Sequence, residues 1–112
     1  MGSVSFTPDH FLVKFRRAVE EAFGDKVERV VLFGSRARGD ARPDSDWDVA
    51  VFLKEGARSW DTLWTLSGIA VDIGSGDGNK FIQTVRLDAS NDDQATELRD
   101  NIRRDGIEVP RL

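Results

Sequence analysis

The chain has 112 residues, 39% of them hydrophobic and 32% charged, with a net charge of −4 and no cysteine. This composition predicts a single folded domain over residues 1–112 and excludes a disordered chain, a disulfide framework and a thiolate zinc site. The charge argues against direct nucleic-acid binding, no apolar run is long enough for a membrane span, and we expect a cytoplasmic location.

The first half of the chain is predicted to form one helix and two strands. Thr7 and Pro8 are typical of a helix start, and Gly24 follows the last residue of an apolar helical face. The members of that face are Phe11, Leu12, Phe15, Val19, Ala22 and Phe23. Runs of β-branched and apolar residues predict strands over residues 27–33 and 46–53.

The second half is predicted to alternate helices and strands. A helix capped by Ser59 is expected to end at Gly68, and strands are expected over residues 69–73 and 80–87. A last helix begins at a capping box headed by Ser90. The order α-β-β-α-β-β-α predicts an α/β (α+β) fold, in which helices pack on a mixed sheet of four to five strands.

Three aspartates stand at every second position before and within the second strand, at Asp44, Asp46 and Asp48. Because side chains alternate along a strand, Asp46 and Asp48 are expected on one face, with Cα atoms roughly 6.5–7 Å apart. Two such carboxylates repel each other unless a cation lies between them, and Mg²⁺ prefers oxygen ligands. The residues therefore predict a magnesium site.

These aspartates have three other interpretations. A solvated acidic turn is the simplest of them. A calcium loop requires glycine where Val49 stands. A phosphatase nucleophile pair would follow a strand, whereas these aspartates begin one.

A Gly-Ser pair directly after the first predicted strand adds a second feature. Gly34 lets a ligand approach the backbone, and a short helix starting at Ser35 would present N–H groups to phosphate. Arg36 and Arg38 either neutralise a polyphosphate or are solvated surface residues. A phosphate-binding turn beside paired carboxylates predicts metal-dependent nucleotidyl transfer.

The same residues resemble a known family. GSRARG at residues 34–39, followed by SDWD at residues 45–48, resembles the signature of the minimal nucleotidyltransferases of the polymerase-β superfamily. The resemblance covers about residues 30–53. It implies a nucleotidyltransferase-like fold, ATP or another nucleoside triphosphate as substrate, and two Mg²⁺ ions, with Mn²⁺ as the alternative.

The resemblance also implies roles for individual residues. Gly34 and Ser35 would bind the nucleotide phosphates, and Asp46 and Asp48 would hold the metal ions. The family's third carboxylate lies on a later strand and helps to activate the acceptor hydroxyl. Asp72, within the strand predicted over residues 69–73, is the candidate for that catalytic and metal-binding position. The alternatives are Asp77 and Asp88.

The family's acceptor is a tyrosine on a HEPN-domain ribonuclease toxin, which implies that this chain is the antitoxin of a toxin–antitoxin pair. AMP would be transferred to that tyrosine. One alternative is a non-catalytic antitoxin that neutralises its partner by forming a complex. Another is a nucleotidyltransferase acting on a small hydroxylated molecule. Trp60 and Trp64, one helical turn apart, are typical of a core or of a partner-binding face.

Overall fold

The computed structural model describes residues 10–76, 78–89 and 96–111. Its elements alternate between helix and strand, which confirms the α/β class. In chain order they are α1 (His10–Phe23), β1 (Val27–Phe33), α2 (Ser35–Arg38), β2 (Trp47–Leu53), α3 (Trp60–Ser75), β3 (Ile82–Asp88), α4 (Thr96–Asp105) and β4 (Ile107–Glu108). No helix in these ranges combines the length and the apolar character needed to cross a bilayer.

The four strands form one mixed sheet in the order β3-β2-β1-β4. β1 pairs antiparallel with both β2 and β4, whereas β2 and β3 are parallel. Because of these directions, the C-terminal end of β1 lies beside the N-terminal ends of β2 and β3. This end of the sheet carries the predicted Gly-Ser turn and the aspartates.

Helices cover both faces of the sheet. α1 and α3 pack on one face, around the buried side chains Phe11, Leu12, Phe15, Val19, Val30, Leu32, Val49, Val51, Leu66 and Ala70. α4 packs on the other face, around Val31, Phe33, Ala50, Phe52, Leu87 and Ile102. Alternation along β2 puts Trp47 on the first face and Asp48 on the second.

The prediction of a strand over residues 69–73 is wrong, because α3 runs without interruption through this segment. Leu66, Ala70 and Gly74 are buried at intervals of four residues, which is the spacing of one helix face packed on the sheet. Gly68 lies on the exposed side and does not end the helix, since a helical glycine costs only about 1 kcal/mol relative to alanine.

Other elements agree more closely with the sequence. The strand over residues 27–33 is confirmed at both ends, and β2 begins one residue later than predicted. The cap at Ser59 is confirmed, because its hydroxyl accepts a hydrogen bond of 3.1 Å from the backbone N–H of Thr62. β3 spans Ile82–Asp88, close to the predicted strand over residues 80–87.

Two smaller expectations differ from the structure. Ala22 is exposed instead of belonging to the apolar face of α1. β4 was not predicted; it pairs with Val31 and Leu32 directly after Gly106. The predicted caps at Thr7 and Ser90 lie outside the described residues.

Candidate active site

Gly34 and Asp48 lie against each other where β1 ends and β2 begins. Phe33, the last residue of β1, is paired with Asp48 in the sheet. Gly34 has a φ of +79°, a conformation that favours glycine, and a Cβ at this position would overlap the Asp48 carboxylate. The glycine therefore serves two purposes: it makes the turn into α2, and it leaves room for the carboxylate.

Asp46 and Asp48 form a pair of neighbouring carboxylates. Burial raises the pKa of Asp48, and the negative charge of Asp46 raises it further, while the guanidinium of Arg38 acts in the opposite direction. A site that disfavours its own negative charge is suited to a cation with carboxylate ligands. Within residues 10–76, 78–89 and 96–111, however, no group of three or more acidic or histidine side chains converges.

Arg36 holds the loop that leads to Asp46. Its Nη2 donates hydrogen bonds to the carbonyl oxygens of Pro43 at 3.1 Å and Ser45 at 2.9 Å. Its guanidinium also lies over the Trp47 ring, 4.3 Å from the ring centroid. The sequence left Arg36 either as a residue that neutralises a polyphosphate or as a solvated surface residue, and these contacts show that its guanidinium also fixes the loop before β2. Its buried Nε has no hydrogen-bond partner among the described residues.

Arg38 connects the loop after α2 to α4. Its guanidinium forms ion pairs of 3.2 Å with Asp40 and Asp105, and these carboxylates raise its pKa. The side chain is nearly half exposed, so it can face a bound anion while it keeps these partners. Ser35 begins α2, and its carbonyl oxygen accepts hydrogen bonds from Gly39 at 3.0 Å and Asp40 at 3.2 Å.

The three candidates for a third carboxylate do not gather beside Asp48 in the described structure. Asp72 is exposed on α3, about 200° around the helix from Ala70 and from Gly74, both of which face the sheet. Asp88 is the last residue of β3, opposite the end of β2. Asp77 lies outside the described residues. The structure therefore brings together Gly34, Ser35, Arg38, Asp46 and Asp48, but not Asp72.

A groove of about 410 Å³ runs along the start of β2, a volume within the range of small-molecule sites. Its lining includes Arg36, Trp47, Asn79, Lys80 and Phe81, but neither Asp46 nor Asp48. The sequence analysis missed Asn79, Lys80 and Phe81, since a lysine and a phenylalanine after a glycine-rich turn carry no recognisable motif. A larger cavity of about 610 Å³ lies at the opposite end of the strands and contains none of the predicted site residues.

Part of the sequence is similar to that of a known protein. A 42-residue stretch of the chain is 45% identical to "Putative protein adenylyltransferase MJ0141" of Methanocaldococcus jannaschii, and the match covers 38% of this chain. The match spans 42% of that relative, less than half of its length.

Two solved structures have the same fold. "Structure of putative minimal nucleotidyltransferase" is 30% identical with a TM-score of 0.53 and covers 91% of this chain and 100% of that chain. "Crystal structure of the toxin-antitoxin with AMP-PNP" is 19% identical with a TM-score of 0.62 and covers 89% of this chain and 73% of that chain. The family described as "Polymerase beta, Nucleotidyltransferase" matches residues 18–110, which is most of the sequence. The chain thus belongs to the polymerase beta nucleotidyltransferase family.

Proposed function

We propose that this protein transfers AMP from ATP to a tyrosine hydroxyl of a HEPN-domain toxin and acts as its antitoxin. The observation that carries the proposal is the pair of carboxylates, Asp46 and Asp48, packed against the glycine turn at Gly34. The relative from Methanocaldococcus jannaschii carries the name of a protein adenylyltransferase, and a structural neighbour is a toxin–antitoxin complex with AMP-PNP. The first name supports the transfer of an adenylyl group to a protein, and the second supports an ATP-like ligand and a toxin–antitoxin role.

Asp46 and Asp48 would hold Mg²⁺, because a half-buried pair of carboxylates is an oxygen-rich ligand set whose negative charge Arg38 only partly offsets. When bound there, the ion neutralises phosphate charge and lowers the pKa of an attacking hydroxyl. The Gly34–Ser35 turn would contact the phosphates, and Arg38 would add positive charge beside them. Arg36 would contribute indirectly, by fixing the loop that carries Asp46.

In the proposed reaction, the acceptor oxygen forms a bond to the α-phosphorus of ATP. The bond between that phosphorus and the oxygen that bridges it to the β-phosphorus breaks, and pyrophosphate leaves with the electron pair. The acceptor loses its proton to a base. The residues of this chain would act by aligning the triphosphate and stabilising the charge that develops on it.

A direct test follows the label of α-³²P-ATP into a HEPN-domain protein from the same genome. Asp46→Asn should lower the transfer rate roughly a hundredfold or more, because metal-bound charge stabilisation is worth several kcal/mol. Asp25→Asn is the matched control, since this exposed aspartate lies just before β1, at the opposite end of that strand from Gly34. Equal rates for Asp46→Asn and the parent protein would overturn the proposal.

A non-catalytic antitoxin is the second candidate, and the surface of α3 favours it. Trp60, Trp64 and Val71 are 72%, 70% and 63% exposed, and their spacing puts them along one side of the helix. Exposed apolar surfaces of this kind often bind other proteins. α3 also carries two aspartates and no lysine or arginine, so a partner with basic residues around an apolar face would fit it. Neutralisation of the toxin by Asp46→Asn without any label transfer would favour this candidate.

A further inference from the structure

Gln83 lies beside Asp48 in the sheet. β2 and β3 are parallel, and Asp48 is paired in register with Gln83. Paired residues of adjacent parallel strands have Cα atoms about 4.8 Å apart and project from the same face. Gln83 is exposed near the start of β3, and its side chain therefore projects into solvent from the same face of the sheet as Asp48.

Neither of the two described candidates for a third carboxylate lies at the position of Gln83. Asp88 lies on the same strand but five residues further on, about 16 Å away along β3. Asp72 faces away from the sheet on α3, and residues 10–76, 78–89 and 96–111 contain no cluster of three metal-binding side chains. At the level of Asp48, the three neighbouring strands present Phe33, Asp48 and Gln83.

The chemistry of the proposed transfer makes this amide significant. As the acceptor oxygen bonds to phosphorus and pyrophosphate departs, the hydroxyl proton has to move to a base. A glutamine amide does not accept a proton at neutral pH, and its oxygen is an uncharged ligand. Asp46 and Asp48 would both be engaged with the metal ion, so neither is free to take the proton.

We infer that a carboxylate of the acceptor binds beside Asp48, where this chain has the uncharged side chain of Gln83. This inference rests on the proposed function. The acceptor would be a protein hydroxyl with an aspartate or glutamate close to it, and that carboxylate would take the hydroxyl proton. The amide N–H of Gln83 can donate a hydrogen bond to the incoming carboxylate, which a glutamate at this position would repel. The active site would then be completed only when the acceptor docks.

The test introduces a carboxylate with Gln83→Glu and uses Thr65→Glu, at an exposed position on α3, as the charge-matched control. Two tyrosine peptides that differ only in an aspartate or an asparagine next to the tyrosine serve as acceptors for α-³²P-ATP. Mn²⁺ affinity of the ATP-bound protein is measured separately by titration calorimetry.

The parent protein should modify the aspartate peptide at least about tenfold faster than the asparagine peptide. Gln83→Glu should abolish this preference and should strengthen Mn²⁺ binding at least about tenfold, whereas Thr65→Glu should do neither. If Gln83→Glu leaves the affinity for Mn²⁺ unchanged, residue 83 does not lie at the metal site and the inference is overturned. This result is decisive even if neither peptide is modified. Equal rates on the two peptides would also overturn it.

The failure of the proposed function has a different signature. If the parent protein and Gln83→Glu both bind no ATP in the presence of Mn²⁺, there is no nucleotide site for Gln83 to complete. Metal-dependent ATP binding with no effect of Gln83→Glu leaves the proposed function in place and contradicts the role of Gln83 alone.

Discussion

At Asp48, the requirements of metal binding conflict with the stability of the folded protein. Its carboxylate is half-buried, has Asp46 as a near neighbour and packs against Gly34. Burial and like charge both disfavour the ionised form, while a divalent cation would favour it. Asp48 is therefore expected to reduce the stability of the metal-free fold in return for binding a cation.

We expect Asp48→Asn to stabilise the metal-free protein at pH 7 by about 0.5–2 kcal/mol, the usual gain from one stabilising substitution, because it removes a half-buried charge beside Asp46. Because the folded-state pKa of Asp48 lies above its unfolded value, the parent protein loses stability as the pH rises through that raised pKa. The asparagine variant has no such loss. The difference should vanish below about pH 3.9, the ordinary pKa of an aspartate. Urea denaturation with a chelator present measures both, and an asparagine variant less stable than its parent at pH 7 would contradict this account.

Local sequence was sufficient to predict some of the site residues and not others. Gly34 and Asp48 stand in a short motif whose spacing fixes a turn and a strand, and the structure brings them into contact. The hydrogen bonds of Arg36 were not predictable, because its partners are backbone carbonyls seven and nine residues away whose positions depend on the loop. Gln83 could not be found either, since its place beside Asp48 depends on strand pairing.

α3 is the element whose path decides where the start of β3 lies. The backbone N–H of Lys80 donates a hydrogen bond of 2.9 Å to the carbonyl of Gly74, near the end of the helix. A Cβ on Gly74 would overlap the carbonyl oxygen of Lys80. This close approach connects the last turn of α3 to the segment that leads into Phe81 and Gln83.

Gly74→Ala and Gly68→Ala should have opposite effects on stability. The first inserts a methyl group against the Lys80 backbone and should destabilise the protein by about 1–3 kcal/mol. The second meets no atom within 4 Å and should stabilise α3 by about 0.5–1 kcal/mol, the usual gain from replacing a helical glycine. Thermal unfolding of both variants measures this contrast. A destabilised Gly68→Ala would indicate that the helix ends near residue 68, as the sequence suggested.

The second half of α3 was mistaken for a strand for a physical reason. Residues 69–73 form a short run of apolar residues, and a run of that length fits a buried strand as well as one turn of a buried helix. What decides is the packing of Leu66, Ala70 and Gly74 on the sheet, and packing is a tertiary property. By contrast, the seven-residue run that forms β1 is long and β-branched, and its two ends were predicted correctly.

At the scale of the whole molecule, function depends on the order of the strands. β2 lies between antiparallel β1 and parallel β3. The turn at Gly34, the aspartates and Gln83 therefore lie at the same end of the strands. The sequence predicted a mixed sheet. It did not predict the two-residue strand β4 or the pairing of β3 with β2, because both depend on contacts between distant parts of the chain. The family match over residues 18–110 covers this entire arrangement.

The most direct test of the account is calorimetric titration of ATP into the protein with Mg²⁺ and, separately, with a chelator. We expect ATP to bind only when the metal is present, and the double variant Asp46→Asn/Asp48→Asn to weaken that binding at least about tenfold, because the neutral amides bind a divalent cation far less strongly. ATP binding of equal strength in the parent protein and the double variant would contradict the claim that these two aspartates hold the metal of a bound nucleotide.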